Sequence, residues 1–429
     1  MDKTNLLKIK LLIALCLLAM GAIQCSIANE QKVASQQDLQ FDTKPVSMSI
    51  KVDRSDRFSV KNFGAKGNGI TNDTKAIQTA IDTVYARGGG TIVFPPGVYI
   101  VTSVKLKENI AYEGYGATIK RPKHQGKWTR TFIAEYAGQT DSKPLIIKGF
   151  IFDGNSKNQG NYKNYELEQA ALVFLTADPK YPGKLRAFIE NCFFKNGVAD
   201  GLSVYTNVSL KVNKCEATDI FRGGFVLTGG NSFVEISNFT TRGKFDVSGI
   251  DIEVDGRGYG NTLKVDVKLE NLNLLNGRFD IGVADGSRVI GNNIISHDAP
   301  FVIYSLKSKM KFTNSKFKVG ASDSYINRIL FPHDVTFEDC EFYVTRKETK
   351  QPYQFFSAAD VWWQHPSQGI QRNQSLVFKD CFFKLDSNIK RNDITYAVYV
   401  RRDFPLTNNN LVIKGGAIAK EFKSQIVKE

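Results

Sequence analysis

Proline is sparse in this chain, and long apolar runs are nearly missing. There are 12 prolines in 429 residues and 23% charged residues, which excludes a proline-rich or charge-dominated disordered protein. One apolar run, LLIALCLLAMGAI, is too short for a comfortable membrane span. Its flanks give it another meaning. MDKTNLLKIK before it is basic, and Ser26-Ile27-Ala28 after it offers small residues to a signal peptidase, so residues 1–28 read as a secretory signal. Gln24 before Cys25 fits a lipoprotein anchor poorly, and cleavage after Ala28 is the expectation. Residues 29–57 are polar and aperiodic, a tail. No later stretch has the composition of a linker. Residues 58–429, in a chain that is 42% hydrophobic, are therefore expected to form one large domain.

Negative charge is also in short supply. Against 57 Lys and Arg stand 43 Asp and Glu, a net charge of +14. Asp2, Lys3, Lys8 and Lys10 leave with the signal and lower it by 2, to +12. An exported protein this basic, in the periplasm or outside the cell, is drawn to polyanions. There these are acidic polysaccharides more often than nucleic acid. No membrane segment remains after cleavage, and nothing in the sequence fixes an oligomeric state.

Cysteine is rare but patterned. Four of the six lie beyond the signal, in I-E-N-C-F-F, V-N-K-C-E-A, F-E-D-C-E-F and F-K-D-C-F-F, at Cys192, Cys215, Cys340 and Cys381. Asparagine fills a similar frame at Asn238, Asn271, Asn293 and Asn314, and the successive gaps are 23, 23, 33, 22, 21, 26 and 41 residues. Gly149 and Gly415 look like the same slot at either end. A base period of 21 to 23 residues with insertions marks a solenoid. Each period holds two or three short alternating strands and no helical pattern, so the expected fold is all-β, a parallel β-helix. The asparagines are expected to point inward and bond between turns, and the cysteines to be small buried fillers, with disulfides between adjacent turns the alternative in an exported protein. Residues 73–87 alone read as an amphipathic helix. Ala76, Ile77, Ala80, Ile81 and Val84 share a face, and the helix is expected to cap the N-terminal end.

V-K-N-F-G-A-K-G-N-G-I-T-N-D-T-K-A-I-Q-T-A-I-D, followed by G-G-G-T-I-V-F-P-P-G-V-Y, spans residues 60–99. It resembles the N-terminal segment of the pectate-lyase-like superfamily of right-handed parallel β-helices, which includes rhamnogalacturonase-type hydrolases, lyases, epimerases and tailspikes. The resemblance implies a single-stranded right-handed solenoid with an N-terminal capping helix. It leaves the reaction open, because these folds host several chemistries. The Gly-His-Gly motif of the polygalacturonase-like hydrolases is missing: none of His124, His297, His333 and His365 stands between glycines. The Asp-Pro-His-Glu motif of the alginate epimerases and the Arg-rich motif of pectate lyases are missing too. No catalytic residue is carried over from these families.

What is present is an acidic strand, S-G-I-D-I-E-V-D-G. Asp251, Glu253 and Asp255 share one face, and Ile250, Ile252 and Val254 the other. Aligning turns on a recurring glycine, in A-D-G-L-S-V-Y, R-G-G-F-V-L-T and V-S-G-I-D-I-E, places Leu202, Phe225 and Ile250 inward. The outward column then reads Ser203 and Tyr205, Val226 and Thr228, Asp251 and Glu253, with Asp280 and Tyr304 on the next turns and Asp200 and Arg222 just ahead of their strands. Paired carboxylates suit glycoside hydrolysis, with Glu253 as acid, Asp251 as base or nucleophile and Asp200 in reserve. Arg222 would clamp a substrate carboxylate, with Tyr205, Asp255, Arg257 and Tyr304 nearby. Trp362 and Trp363 sit in an insertion that would either stack on sugars or pack as a satellite core. No cofactor is required on this reading. Asp251, Glu253 and Asp255 could equally hold Ca²⁺, or be simply a solvated face.

Three functions follow. The first is cleavage of glycosidic bonds in an acidic polysaccharide, with hydrolysis favoured by the paired carboxylates. The second is β-elimination or C5 epimerisation of a uronan, with Lys195, Tyr205 or Arg257 abstracting the proton. The third is a non-catalytic carbohydrate-binding or adhesion β-helix.

Overall fold

The chain coils because single residues bend its strands. In Val208–Thr218, Val208, Leu210 and Val212 are buried, Lys214 turns into the left-handed region (φ 53), and the buried set resumes at Cys215 and Ala217. The bend therefore shifts the alternation by one residue and folds one strand over two faces. Asn191, Asn238, Asn271, Asn293, Asn314, Asp339 and Asp380 have the same conformation, with φ between 50 and 54, and Gly149 and Gly415 take it at φ 72 and 68. Asn, Asp and Gly tolerate this geometry best, which is why they recur there.

The computed structural model describes residues 56–429 except 126–128, 161–162, 164–165, 255–263, 285, 298, 307, 323–326, 331, 349–356, 363, 366–368, 371–374, 386–395, 402–409, 420–423 and 429. The expected signal and nearly all of the expected tail lie outside the described residues. Strands stack into a right-handed parallel β-helix with three faces. Two faces, joined at the bends, form a 22-stranded sheet, and the third is a 12-stranded sheet running in chain order from Val104–Lys105 to Ser424–Lys428. Among the described residues the one antiparallel pairing joins Gln364–His365 to Gly369–Ile370.

Phenylalanines stack rung on rung inside. Phe312, Phe337 and Phe378 follow at ring spacings of 5.2 and 5.4 Å, and all three are fully buried. Truncating any of them to Ala would cost about 3–5 kcal/mol. The helix α1, Thr74–Ala86, buries Ile77, Ala80, Ile81 and Val84 in the same core, packed on the first strands of the stack.

Two expectations need correction. Asn238, Asn271, Asn293 and Asn314 are exposed, not inward. They do form a ladder, but on the outer surface: Asn238 donates to Asn213 at 2.8 Å, Asn271 to Asn238 at 3.3 Å, Asn293 to Asn271 at 2.8 Å and Asn314 to Asn292 at 2.9 Å. Nor do cysteine and asparagine share a slot. Cys215 pairs in register with Phe239, so the asparagine holds the corner and the cysteine is the next, inward residue. Cys192, Cys215, Cys340 and Cys381 are free thiols and buried. The Cys192 backbone N–H points at Cys215 Sγ, 3.5 Å away on the neighbouring rung.

Candidate functional site

The third face carries the site, and glycines set its register. A Cβ on Gly201 would lie 2.7 Å from the Gly224 carbonyl oxygen, and one on Gly224 would lie 2.6 Å from that of Gly249. Neighbouring rungs approach too closely there for any side chain. Beyond these glycines Leu202, Phe225, Ile250, Phe279 and Phe301 stack inward in one register column, fully buried. The outward column beside it runs Phe174, Ser203, Val226, Asp251, Asp280, Val302 and Arg328. Two residues further along, Glu253, Gly282 and Tyr304 are partners. Gly282 puts no side chain between Glu253 and Tyr304. A cleft of about 240 Å³ opens there, lined by Arg222, Asp251, Glu253, Arg278, Asp280 and Tyr304 among others.

The cleft crowds carboxyl groups out of water. Asp251 is 7% exposed and Asp200 4%, while Glu253 stands open to solvent. Burial, then the charges of Asp280, Glu253 and Asp200, push the Asp251 pKa up to about 8, against the pull of Arg222. Burial raises Asp200 to about 6, opposed by Arg222, whose Nε lies 3.7 Å from Asp200 Oδ1. Burial likewise raises Asp280 to about 6, opposed by Arg278. Asp280 Oδ2 accepts from Ser248 Oγ at 2.6 Å and pairs with Arg278 Nη2 at 2.8 Å, leaving its buried Oδ1 with no hydrogen-bond partner. At neutral pH the cleft therefore holds one protonated carboxyl group beside ionised ones.

The sequence-derived residues divide as follows. Asp251, Glu253, Arg222 and Tyr304 line one cleft, and Asp200 lies behind Arg222. Tyr205 follows the strand Leu202–Val204, its N–H bonded to the Leu175 carbonyl. Asp255, Arg257 and Trp363 lie outside the described residues, and with Asp255 so does a third of the suggested Ca²⁺ ligand set. Trp362 ends the strand Ser357–Trp362, where its backbone pairs with Leu330 and Arg401. Lys195 is a correction. Its strand Phe193–Lys195 belongs to the other sheet and pairs with Thr218 and Asp153, away from the cleft. Among the described residues no group of three or more His, Cys, Asp or Glu side chains is placed to hold a metal ion. Sequence reasoning missed Arg278, two residues before Asp280 on the same strand, and Ser248, which the adjacent rung brings to Asp280.

Known proteins share this architecture. The sequence profile of the family described as rhamnogalacturonase A/epimerase, pectate lyase-like matches residues 57–326. Mannuronan C5-epimerase AlgE2 of Azotobacter vinelandii is 33% identical over 111 residues, which is 24% of this chain and 11% of that protein. Alginate lyase 7 of the same organism is 35% identical over 111 residues, 24% of this chain and 13% of that protein. The matched stretch thus spans only about a tenth of these relatives' length. Among solved structures, the A-module of the A. vinelandii mannuronan C-5 epimerase AlgE4 superposes with a TM-score of 0.55 at 16% identity, covering 87% of this chain and 100% of that one.

Proposed function

Because the chain belongs to the rhamnogalacturonase A/epimerase, pectate lyase-like family, we propose that it is an exported enzyme that hydrolyses glycosidic bonds in an acidic polysaccharide, with Asp251 as the proton donor. The observation that carries this reading is the buried Asp251 carboxyl group, its pKa raised to about 8 in a cleft whose other aspartates are raised only to about 6. Glycoside hydrolysis needs that division: one carboxylic acid to protonate the leaving oxygen, and ionised carboxylates to meet the oxocarbenium-like charge and take a proton from water.

The roles expected for the acidic strand are thereby exchanged. Asp251, enclosed between Val226 and Asp280, keeps its proton and delivers it to the departing oxygen. Glu253 is open to solvent two residues on, about 6.6 Å along the strand, with room for the attacking water, whose proton it accepts. Asp280 and Asp200 stay ionised at neutral pH and hold the proton on Asp251. Arg222, at the cleft wall, faces the substrate.

A second reading, β-elimination or C5 epimerisation of a uronan, draws on the local likeness to a mannuronan C5-epimerase and an alginate lyase. Arg222 would then neutralise the uronate, and Tyr304 would exchange the C5 proton. Incubation with a panel of uronans and neutral glycans separates the readings. Hydrolysis yields new reducing ends alone, elimination adds an ultraviolet-absorbing unsaturated product, and epimerisation changes composition without cleavage. Binding without turnover of any glycan would reject both in favour of an adhesion role.

A further inference from the structure

The guanidinium groups that line the cleft are already engaged. Arg222 faces Asp200 at 3.7 Å, and Arg278 holds Asp280 at 2.8 Å. Asp251 and Glu253 add two further carboxyl groups. The longer Arg222 contact leaves one guanidinium to share with a single substrate carboxylate, which does not serve a polymer that carries one on every sugar. If such a polymer is the substrate, its charge has to be recognised beyond the cleft.

The outward column offers a place. From Asp251 it runs through Val226 and Ser203, both covered, to Phe174, three rungs or ~14 Å away, where Arg130 forms the outer surface. The Arg130 guanidinium lies 3.5 Å from the centre of the Phe174 ring. Its Nε and Nη2 donate to the Gln169 carbonyl and side-chain oxygens at 3.3 and 3.4 Å, both neutral acceptors. Among the described residues Arg130 forms no salt bridge, and its Nη1 meets no acceptor. It is half-buried, and that burial lowers its pKa despite the nearby charges of Glu135 and Asp200. Stacking on an aromatic ring fixes the guanidinium plane and removes rotamer freedom before any ligand arrives. A planar fork with an uncommitted N–H edge suits a carboxylate.

We propose that Arg130, seated on Phe174, is a carboxylate-recognition site for a uronic acid residue bound about three sugars from Asp251, and that it selects acidic polymers. A pyranose chain lying along the solenoid axis repeats at nearly the spacing of the rungs, so a chain that leaves the cleft and passes over the covered Val226 and Ser203 reaches Arg130 after about three sugars. The inference rests on the cleft being the site where the glycan is held, but not on the reaction performed there.

Calorimetric titration tests it, using a uronate hexasaccharide and its carboxyl-reduced, neutral counterpart against wild type, Arg130→Gln and Arg130→Lys. Arg130→Gln is expected to weaken the uronate about tenfold, the loss of one charge-assisted contact, and to leave the neutral glycan unchanged. Arg130→Lys is expected to recover part of the loss. An equal loss for both glycans, or a lower melting temperature with unchanged affinity, would reduce Arg130 to a cover over Phe174 and overturn the proposal, as would wild type binding no uronate. Discriminating binding without turnover would leave the proposal standing and remove the hydrolytic assignment instead.

Discussion

Asp251 and Asp280 are register partners on adjacent parallel strands, and both side chains enter the same cleft. Adjacent strands lie only ~4.8 Å apart, so two ionised carboxylates there would repel strongly. Asp280 has Ser248 and Arg278 to hold its charge, whereas Asp251 is the more deeply buried and takes the proton.

Activity should follow a bell-shaped pH profile. Below about 6 Asp280 and Asp200 take up protons and the cleft loses its ionised carboxylates; above about 8 Asp251 loses the proton it must donate. Both limbs belong to the interacting group as a whole. kcat/KM measured across this range should peak between them. A rate still rising well above the upper limb would exclude Asp251 as the acid.

Stability should have its own pH signature. The folded-state pKa of Asp251 lies above its ordinary value of 3.8, so the native state binds this proton more tightly than the unfolded chain. That contribution is complete below the ordinary value and is lost as pH rises through about 8. Asp251→Asn removes the penalty. Its melting temperature relative to wild type should increase from about pH 5 to about pH 9. A constant difference would mean that Asp251 does not titrate in this way.

Arg222→Met should destabilise in a pH-dependent manner. Asp200 would remain buried without its guanidinium partner, at a cost of about 3 kcal/mol when ionised. In acid Asp200 takes a proton and the cost shrinks. Urea unfolding on either side of neutrality measures the difference, and equal losses at both would show that the pair contributes no charge stabilisation.

The surface ladder can be tested at Asn271, which donates to Asn238 and accepts from Asn293 at a left-handed corner. Asn271→Ala loses both bonds and strains the corner, about 1–2 kcal/mol. Asn271→Gly loses the bonds but fits the corner, and should cost less than Ala. The reverse order in chemical unfolding would argue against backbone strain as the main term.

Much of this was legible in the sequence, and the gaps have physical causes. Gly201, Gly224 and Gly249 mark where rungs touch, so aligning on them gave the column from Ser203 through Val226 to Asp251. The period located the corners but not their phase, because Cys215 and Lys214 are neighbours and only the left-handed turn decides which faces inward. Alternation put Asp251 and Glu253 on one face without telling them apart. Their difference comes from neighbouring strands: Val226 and Asp280 flank Asp251, whereas Glu253 has the bare Gly282 beside it. Ser248 carried no local signal, since its partner Asp280 lies across a rung boundary, whereas Arg278 stands two residues before Asp280 on one strand and the i, i+2 alternation could have found it.

The most direct test of the account is turnover by wild type and Asp251→Asn on polygalacturonate and alginate at neutral pH, with melting temperature followed in parallel. The account predicts new reducing ends without unsaturated product from wild type on at least one polymer, and none from a variant that melts no lower. A variant that cleaves as fast as wild type would contradict it.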